Sequence, residues 1–89
     1  MEESEVIGPA AIGAGAHIVG SVIGPNAAIG EGCRVVRSRV EDAIVMSNSE
    51  VVDCPQVAHS MLGRYTRVVG APAGARLTLG DHSRVESDR

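Results

Sequence analysis

Ile7 to Ser21 reads IGPAAIGAGAHIVGS, and Ile23 to Ser38 reads IGPNAAIGEGCRVVRS. With one gap, nine of fifteen aligned residues are identical, so the chain carries an internal repeat. Each copy holds the same smaller unit: an aliphatic residue, often a Gly, a few small or polar residues, then the next aliphatic. Self-similarity at so short a period is the signature of a coil that stacks on itself.

The aliphatic marks run through Ile7, Ile12, Ile18, Ile23, Ile29, Val35, Val40, Val45, Val51, Val57, Leu62 and Val68, at steps of five or six residues. An amphipathic helix needs a period near 3.6 and a half-buried strand a period of two. Neither fits. A short strand and a corner, repeated, does. Three such sides close a triangular coil, and Ile23, Val40 and Val57 then stack at one equal interval, a coil apart each time. Twelve marks predict about four coils, each side pointing one aliphatic side chain inward. The glycines after the aliphatics (Gly8, Gly13, Gly24, Gly30, Gly63) are expected at corners with positive φ. Pro9 and Pro25 pre-set turns there. Small residues (Ala11, Ala16, Ala27, Cys33, Ser49, Thr66) are expected in the narrow space beside each corner. The chain has no Phe, no Trp and one Tyr, which suits an interior too narrow for rings.

Parallel crossovers are right-handed in about 98% of cases. Hexapeptide solenoids, which these rungs resemble, are left-handed. On that resemblance the fold is read as an all-β left-handed parallel β-helix of about four triangular coils plus a short C-terminal tail. The divisions expected are a frayed acidic lead over 1–5, the β-helix over 6–69, a Pro- and Gly-punctuated linker over 70–76, and a tail or cap over 77–89.

A net charge of −3 without a basic cluster argues against nucleic acid as a partner. No apolar stretch reaches membrane-spanning length and no signal peptide opens the chain, so a cytoplasmic location is expected and no membrane. At 89 residues a lone domain is marginally stable. Open coil ends add to the problem. A homo-oligomer, with three chains favoured, or a covalently attached catalytic domain is therefore expected. Cys33 and Cys54 are separated by more than the one-coil interval that sets stacked neighbours together, so no disulfide is expected. Cys33 is read as a small inward residue, and Cys54, before Pro55, as a partly exposed corner.

The runs SVIGPNAAIGEGCRV (21–35), SRVEDAIV (38–45), HSMLGR (59–64) and LTLGDHSRVE (77–86) together resemble the C-terminal domain of the long-form glucose-1-phosphate thymidylyltransferases. The resemblance covers essentially the whole chain, with LGDHS (79–83) its most specific part. It implies a left-handed β-helix that follows a nucleotidyltransferase domain of Rossmann-like fold. The family's chemistry joins glucose 1-phosphate and dTTP to give dTDP-glucose and pyrophosphate with Mg²⁺, and belongs to that other domain. No G-x-G-T-R-L-like loop occurs in these residues. Gly13-Ala14-Gly15 and Gly30-Glu31-Gly32 sit at coil corners. No catalytic, cofactor-binding or metal-ligating residue is therefore carried over, and the expected role is structural.

The runner-up is a small trimeric acyltransferase-like protein with a cleft between subunits, where a His acts as general base. His17 and His59 are the cleft candidates. His82 belongs to the family-like tail and is expected to dock it. No insertion interrupts the rungs to complete an acyl-CoA site. A zinc site needs ligands that converge, and His17 and His59 lie about two and a half coils apart. Ranks of Thr for an ice-binding face are absent, since only Thr66 and Thr78 occur. Arg37, Arg39, Glu41 and Asp42 form a mixed outward band, read as candidate subunit contacts.

Overall fold

The computed structural model describes residues 4–71 and 76–86. Twelve strands among them follow in chain order: β1 Glu5–Val6, β2 Ala10–Ile12, β3 His17–Val19, β4 Val22–Ile23, β5 Ala27–Ile29, β6 Arg34–Val36, β7 Arg39–Val45, β8 Glu50–Val52, β9 Val57–Leu62, β10 Arg67–Val69, β11 Thr78–Leu79 and β12 Arg84–Glu86. Every pairing is parallel and joins residues one coil apart. The chain is thus a β-solenoid of about five turns that matches a left-handed β-helix.

Three faces close each turn. On the first face β3, β6, β8, β10 and β12 stack. On the second, β1 and β4 lead into the first half of β7 and of β9. On the third, β2 and β5 stack on the second halves of β7 and β9, with β11 last. β7 and β9 run unbroken around the corner between the second and third faces.

The inward residues stack as three columns: Ile18, Val35, Val51, Val68 and Val85; Ile23, Val40 and Val57; and Ile12, Ile29, Val45, Leu62 and Leu79. Ten of the twelve predicted rung positions, Ile18 through Val68, are buried, so the five-or-six spacing locates the core. Ile12 packs partly buried against it. Ile7 is off by one. Val6 pairs with Ile23, and Glu5 with Val22. The gap that aligns the two IGP runs does not exist in space. The ladder holds the first two coils at one constant offset, from Glu5 on Val22 to Ile12 on Ile29. For the same reason Ala10, not Ala11, is the small inward residue; Ala11 is exposed.

The coil count is about five rather than four. β11 and β12 continue the third and first faces in register, Thr78 against Met61 and Val85 against Val68. The stretch expected as a tail or cap thus carries the last rungs of the stack. Of the expected linker, residues 72–75 lie outside the described residues, as do 1–3 of the acidic lead.

A buried spine of hydroxyls ties successive coils together. The Ser21 N–H donates to Ser4 Oγ (3.1 Å), the Ser38 N–H to Ser21 Oγ (3.1 Å) and the Cys54 N–H to Ser38 Oγ (3.0 Å). A second spine runs through Ser49 and Thr66, whose N–H and hydroxyl both donate to Ser49 Oγ. A third joins the Leu77 N–H to Ser60 Oγ (3.0 Å). These side chains meet the corner amides that the strand ladders leave unpaired. Cys33 lies inward as expected. Cys54 corrects its expectation: it is fully buried, holds the spine position below Ser38, and both cysteines are free thiols.

Candidate functional site

The corners decide what the outside of this molecule can offer. Among the described residues, all eight non-glycine residues with positive φ fall on them. One corner column runs Gly15, Gly32, Asn48, Tyr65 and His82; another Gly20, Arg37, Asp53 and Gly70; the third holds Asn26, Asp42 and His59. Of the glycines that follow the aliphatics, Gly24 has the positive φ expected of it (103°), while three others serve a different need. Gly13, Gly30 and Gly63 do not have positive φ. A Cβ on Gly30 would lie 2.8 Å from Ser47 N, so the next coil's backbone takes the space. The left-handed position comes two residues later, and Asn, Asp and His are among the residues that tolerate it best.

Along the first face the outward row is His17, Arg34, Glu50, Arg67 and Arg84. Between this row and the corner column runs a shallow groove, with Asn48, Tyr65 and His82 as its other wall. Tyr65 and His82 stack flat, one coil apart, with ring centroids 5.2 Å apart. Arg67 pairs with Glu50 (3.3 Å) and Arg84 with Glu86 (3.6 Å). Arg34 makes no ion pair among the described residues. The Asp81 carboxylate accepts from the Arg64 N–H (2.9 Å) and its guanidinium (3.0 Å). The backbone donor first, and the guanidinium next, hold Asp81 below the usual carboxylate range.

The candidate subunit contacts on the outer band are paired within the chain. The Arg37 guanidinium grips both carboxylate oxygens of Asp53 one coil away, with Nη2 to Oδ2 at 3.0 Å. That hydrogen bond lowers the Asp53 pKa and raises that of Arg37. Arg39 Nε donates to Glu41 (3.1 Å), and Asn26 Nδ2 to Asp42 (3.2 Å). All of these are exposed surface pairs of small energetic weight.

His17 and His59 are not brought together. His17 is exposed on the first face, in the groove. His59 sits at the opposite corner with φ 52° beside the third face. No group of three or more His, Cys, Asp or Glu side chains able to hold a metal ion exists among the described residues. His82, expected to dock the tail, stacks on Tyr65 one coil away; Tyr65 is the partner that sequence reasoning missed. The signal was there: LGRYT (62–66) and LGDHS (79–83) are the same corner, one coil apart. The serine spine was equally legible as Ser4, Ser21 and Ser38 at that same spacing.

The third face differs from the other two. Its outward residues are Ala11, Ala28, Ile44, Met61 and Thr78, with no charge in the row. Ile44 is 46% exposed and Met61 51%, and Met46 at the adjoining corner is 43%. The geometry thus builds three faces of different character: a charged groove, a paired outer band and an uncharged row.

No family model matches the chain. It is 40% identical over 89 residues to a glucose-1-phosphate thymidylyltransferase of Streptomyces antibioticus, and 37% identical to one of Streptomyces griseus. The match covers 97% of this chain and 25% of each of those proteins. The chain is homologous to the C-terminal part of these enzymes. It spans about a quarter of the length of the curated relatives it matches. Among solved structures it resembles serine acetyltransferase isoform 3 of Entamoeba histolytica, with a TM-score of 0.59 at 18% identity, over 96% of this chain and 35% of that one. At that identity the likeness is one of fold. No helix among the described residues is long and apolar enough to cross a membrane.

Proposed function

We propose that this β-helix is the structural, assembly-bearing part of a thymidylyltransferase-type protein and performs no chemistry itself. The observation that carries the reading is the 40% identity along 97% of the chain to a quarter of such an enzyme. The geometry agrees: the interior is filled with aliphatic and hydroxyl side chains, and the cleft candidates His17 and His59 stand on separate faces. In this reading the partner is a nucleotidyltransferase catalytic domain or further copies of the chain, in the cytoplasm. The parent reaction, glucose 1-phosphate with dTTP giving dTDP-glucose and pyrophosphate, proceeds with Mg²⁺ in that catalytic domain.

The test is direct. The 89-residue chain is incubated with dTTP, glucose 1-phosphate and Mg²⁺, and pyrophosphate release is followed. No turnover is expected, and any rate above the uncatalysed background overturns the reading. The acyltransferase-like alternative predicts a rise in Tm with acetyl-CoA, by mass action on the native state. The structural reading predicts none.

A further inference from the structure

The third face carries one uncharged outward side chain per coil. Along the coil axis its outward row reads small, small, large, large: Ala11, Ala28, Ile44, Met61. Successive members are one coil, about 4.8 Å, apart. A two-fold axis in the plane of the face and perpendicular to the coil axis reverses that order. With the axis midway between the Ala28 and Ile44 levels, Ile44 lies over Ala28 of the second copy and Met61 over its Ala11. Every large side chain then meets a small one.

The rims agree with this register. The corner column Asn26, Asp42, His59 meets its own reverse, so Asn26 stands opposite Asp42, an amide against a carboxylate. On the far rim Met46 falls at the level of Gly30, Glu31 at that of Ser47, and Arg64 at that of Ala14. No like charges confront each other. Moving the axis one half-coil to the Ile44 level sets Ile44 on Ile44 and Asp42 on Asp42, costing both fit and charge. Moving it to the Ala28 level leaves Met61 without a counterpart. A parallel arrangement, with the axis along the coils, sets every large residue on itself. The other two faces carry charge in their outward rows: Arg34, Glu50, Arg67 and Arg84 on one, Arg39 and Glu41 on the other.

We infer that the third face is an isologous, antiparallel dimer interface between two copies of this chain, registered by Ile44 on Ala28 and Met61 on Ala11. The inference rests on the assembly reading above and replaces its three-chain expectation with two for this face. The molecule measures 29 × 22 × 20 Å, so one face buries little area by the standard of specific interfaces. The association is therefore weak and visible as a rise in mass with concentration.

The experiment uses light scattering on the 89-residue chain over a concentration series, with three variants: Ala28→Asp, Ile44→Arg and both together. The wild type is expected to approach two chains, each single variant to stay at one, and the double variant to return to two. In the antiparallel register residue 28 faces residue 44, so the double variant makes two symmetric ion pairs. In a parallel pairing it makes only like-charge contacts and stays monomeric. A monomeric or trimeric wild type, or a double variant no better than the singles, overturns the inference. Spin labels on Thr78→Cys give an independent reading, since Cys33 and Cys54 are buried: about 25 Å between labels when antiparallel, against about 10 Å when parallel. The shorter distance also overturns it. These outcomes leave the pyrophosphate test untouched, so a failure of the pairing and a failure of the structural role are told apart.

Discussion

Ser38→Ala tests whether the hydroxyl spine holds the coils together or merely accompanies them. Ser38 is 5% exposed. Its Oγ accepts from the Cys54 N–H at 3.0 Å and donates to the Val36 carbonyl at 2.8 Å. Removal of the hydroxyl treats those two partners differently. The Val36 carbonyl keeps the Asp53 N–H at 2.9 Å. The Cys54 amide loses the only acceptor described for it, at a buried corner. A buried donor left without a partner costs about 1–3 kcal/mol. For a domain of this size each kcal/mol moves Tm by roughly 4–8 °C. The variant is expected to melt about 10 °C below the wild type, by circular dichroism at constant protein concentration. Ser47→Ala is the control, since Ser47 is half-buried outside the spine and should shift Tm little. If Ser38→Ala melts within about 2 °C of the wild type, or no lower than the control, the spine contributes nothing and the reasoning fails.

Other predictions concern acid, packing and thiols. The Asp81 and Asp53 pKa values are lowered in the fold, so their contribution is present above the ordinary carboxylate range and lost as pH falls through the depressed values. Asp81→Asn should therefore lower Tm at pH 7, with the gap narrowing as pH falls below the ordinary carboxylate range; a gap unchanged by acid would refute the assignment. Gly30→Ala should destabilise by about 1–3 kcal/mol, because its Cβ meets Ser47 N at 2.8 Å and Met46 C at 3.0 Å. Gly80→Ala, with nothing within 4 Å, should be neutral or gain up to about 1 kcal/mol, and a denaturant series that ranks the pair the other way sinks the close-approach argument. Cys33 and Cys54 should resist a thiol reagent in the native state and react only on unfolding; burial also pushes the Cys54 thiol up. Rapid native labelling of either would contradict their place in the core.

The core was legible in the sequence because one inward aliphatic per side leaves a period that no helix or ordinary strand shares. Ile18 through Val68 could be read straight from that spacing. What the spacing could not carry was register. Coils of two lengths occur, the step from Ala10 to Ala27 being one residue longer than that from Ala27 to Ala43. A gap placed by letter identity at Ile7 therefore looked as good as none. The last coil hid for a related reason. Its corner is spelled Asp81-His82 where the first is Ala14-Gly15, so letter identity with the crisp first repeat fails there, and the likeness runs only through the intermediate corner Arg64-Tyr65. The candidate surface was least legible. Ile44 and Met61 do not belong to the rung pattern at all, and outward residues become a face only when stacking sets them side by side.

The near-constant register gives the molecule a property of rulers. Each coil adds one circuit of chain and about 4.8 Å of height while the triangular cross-section stays the same. Duplicating one coil, for instance 22–38, would lengthen every outward row by a single step and leave every inward contact type unchanged. Distance along the axis is thus counted in whole coils. Anything fixed at one end would be moved from anything fixed at the other by gene duplication alone, in increments of one strand spacing.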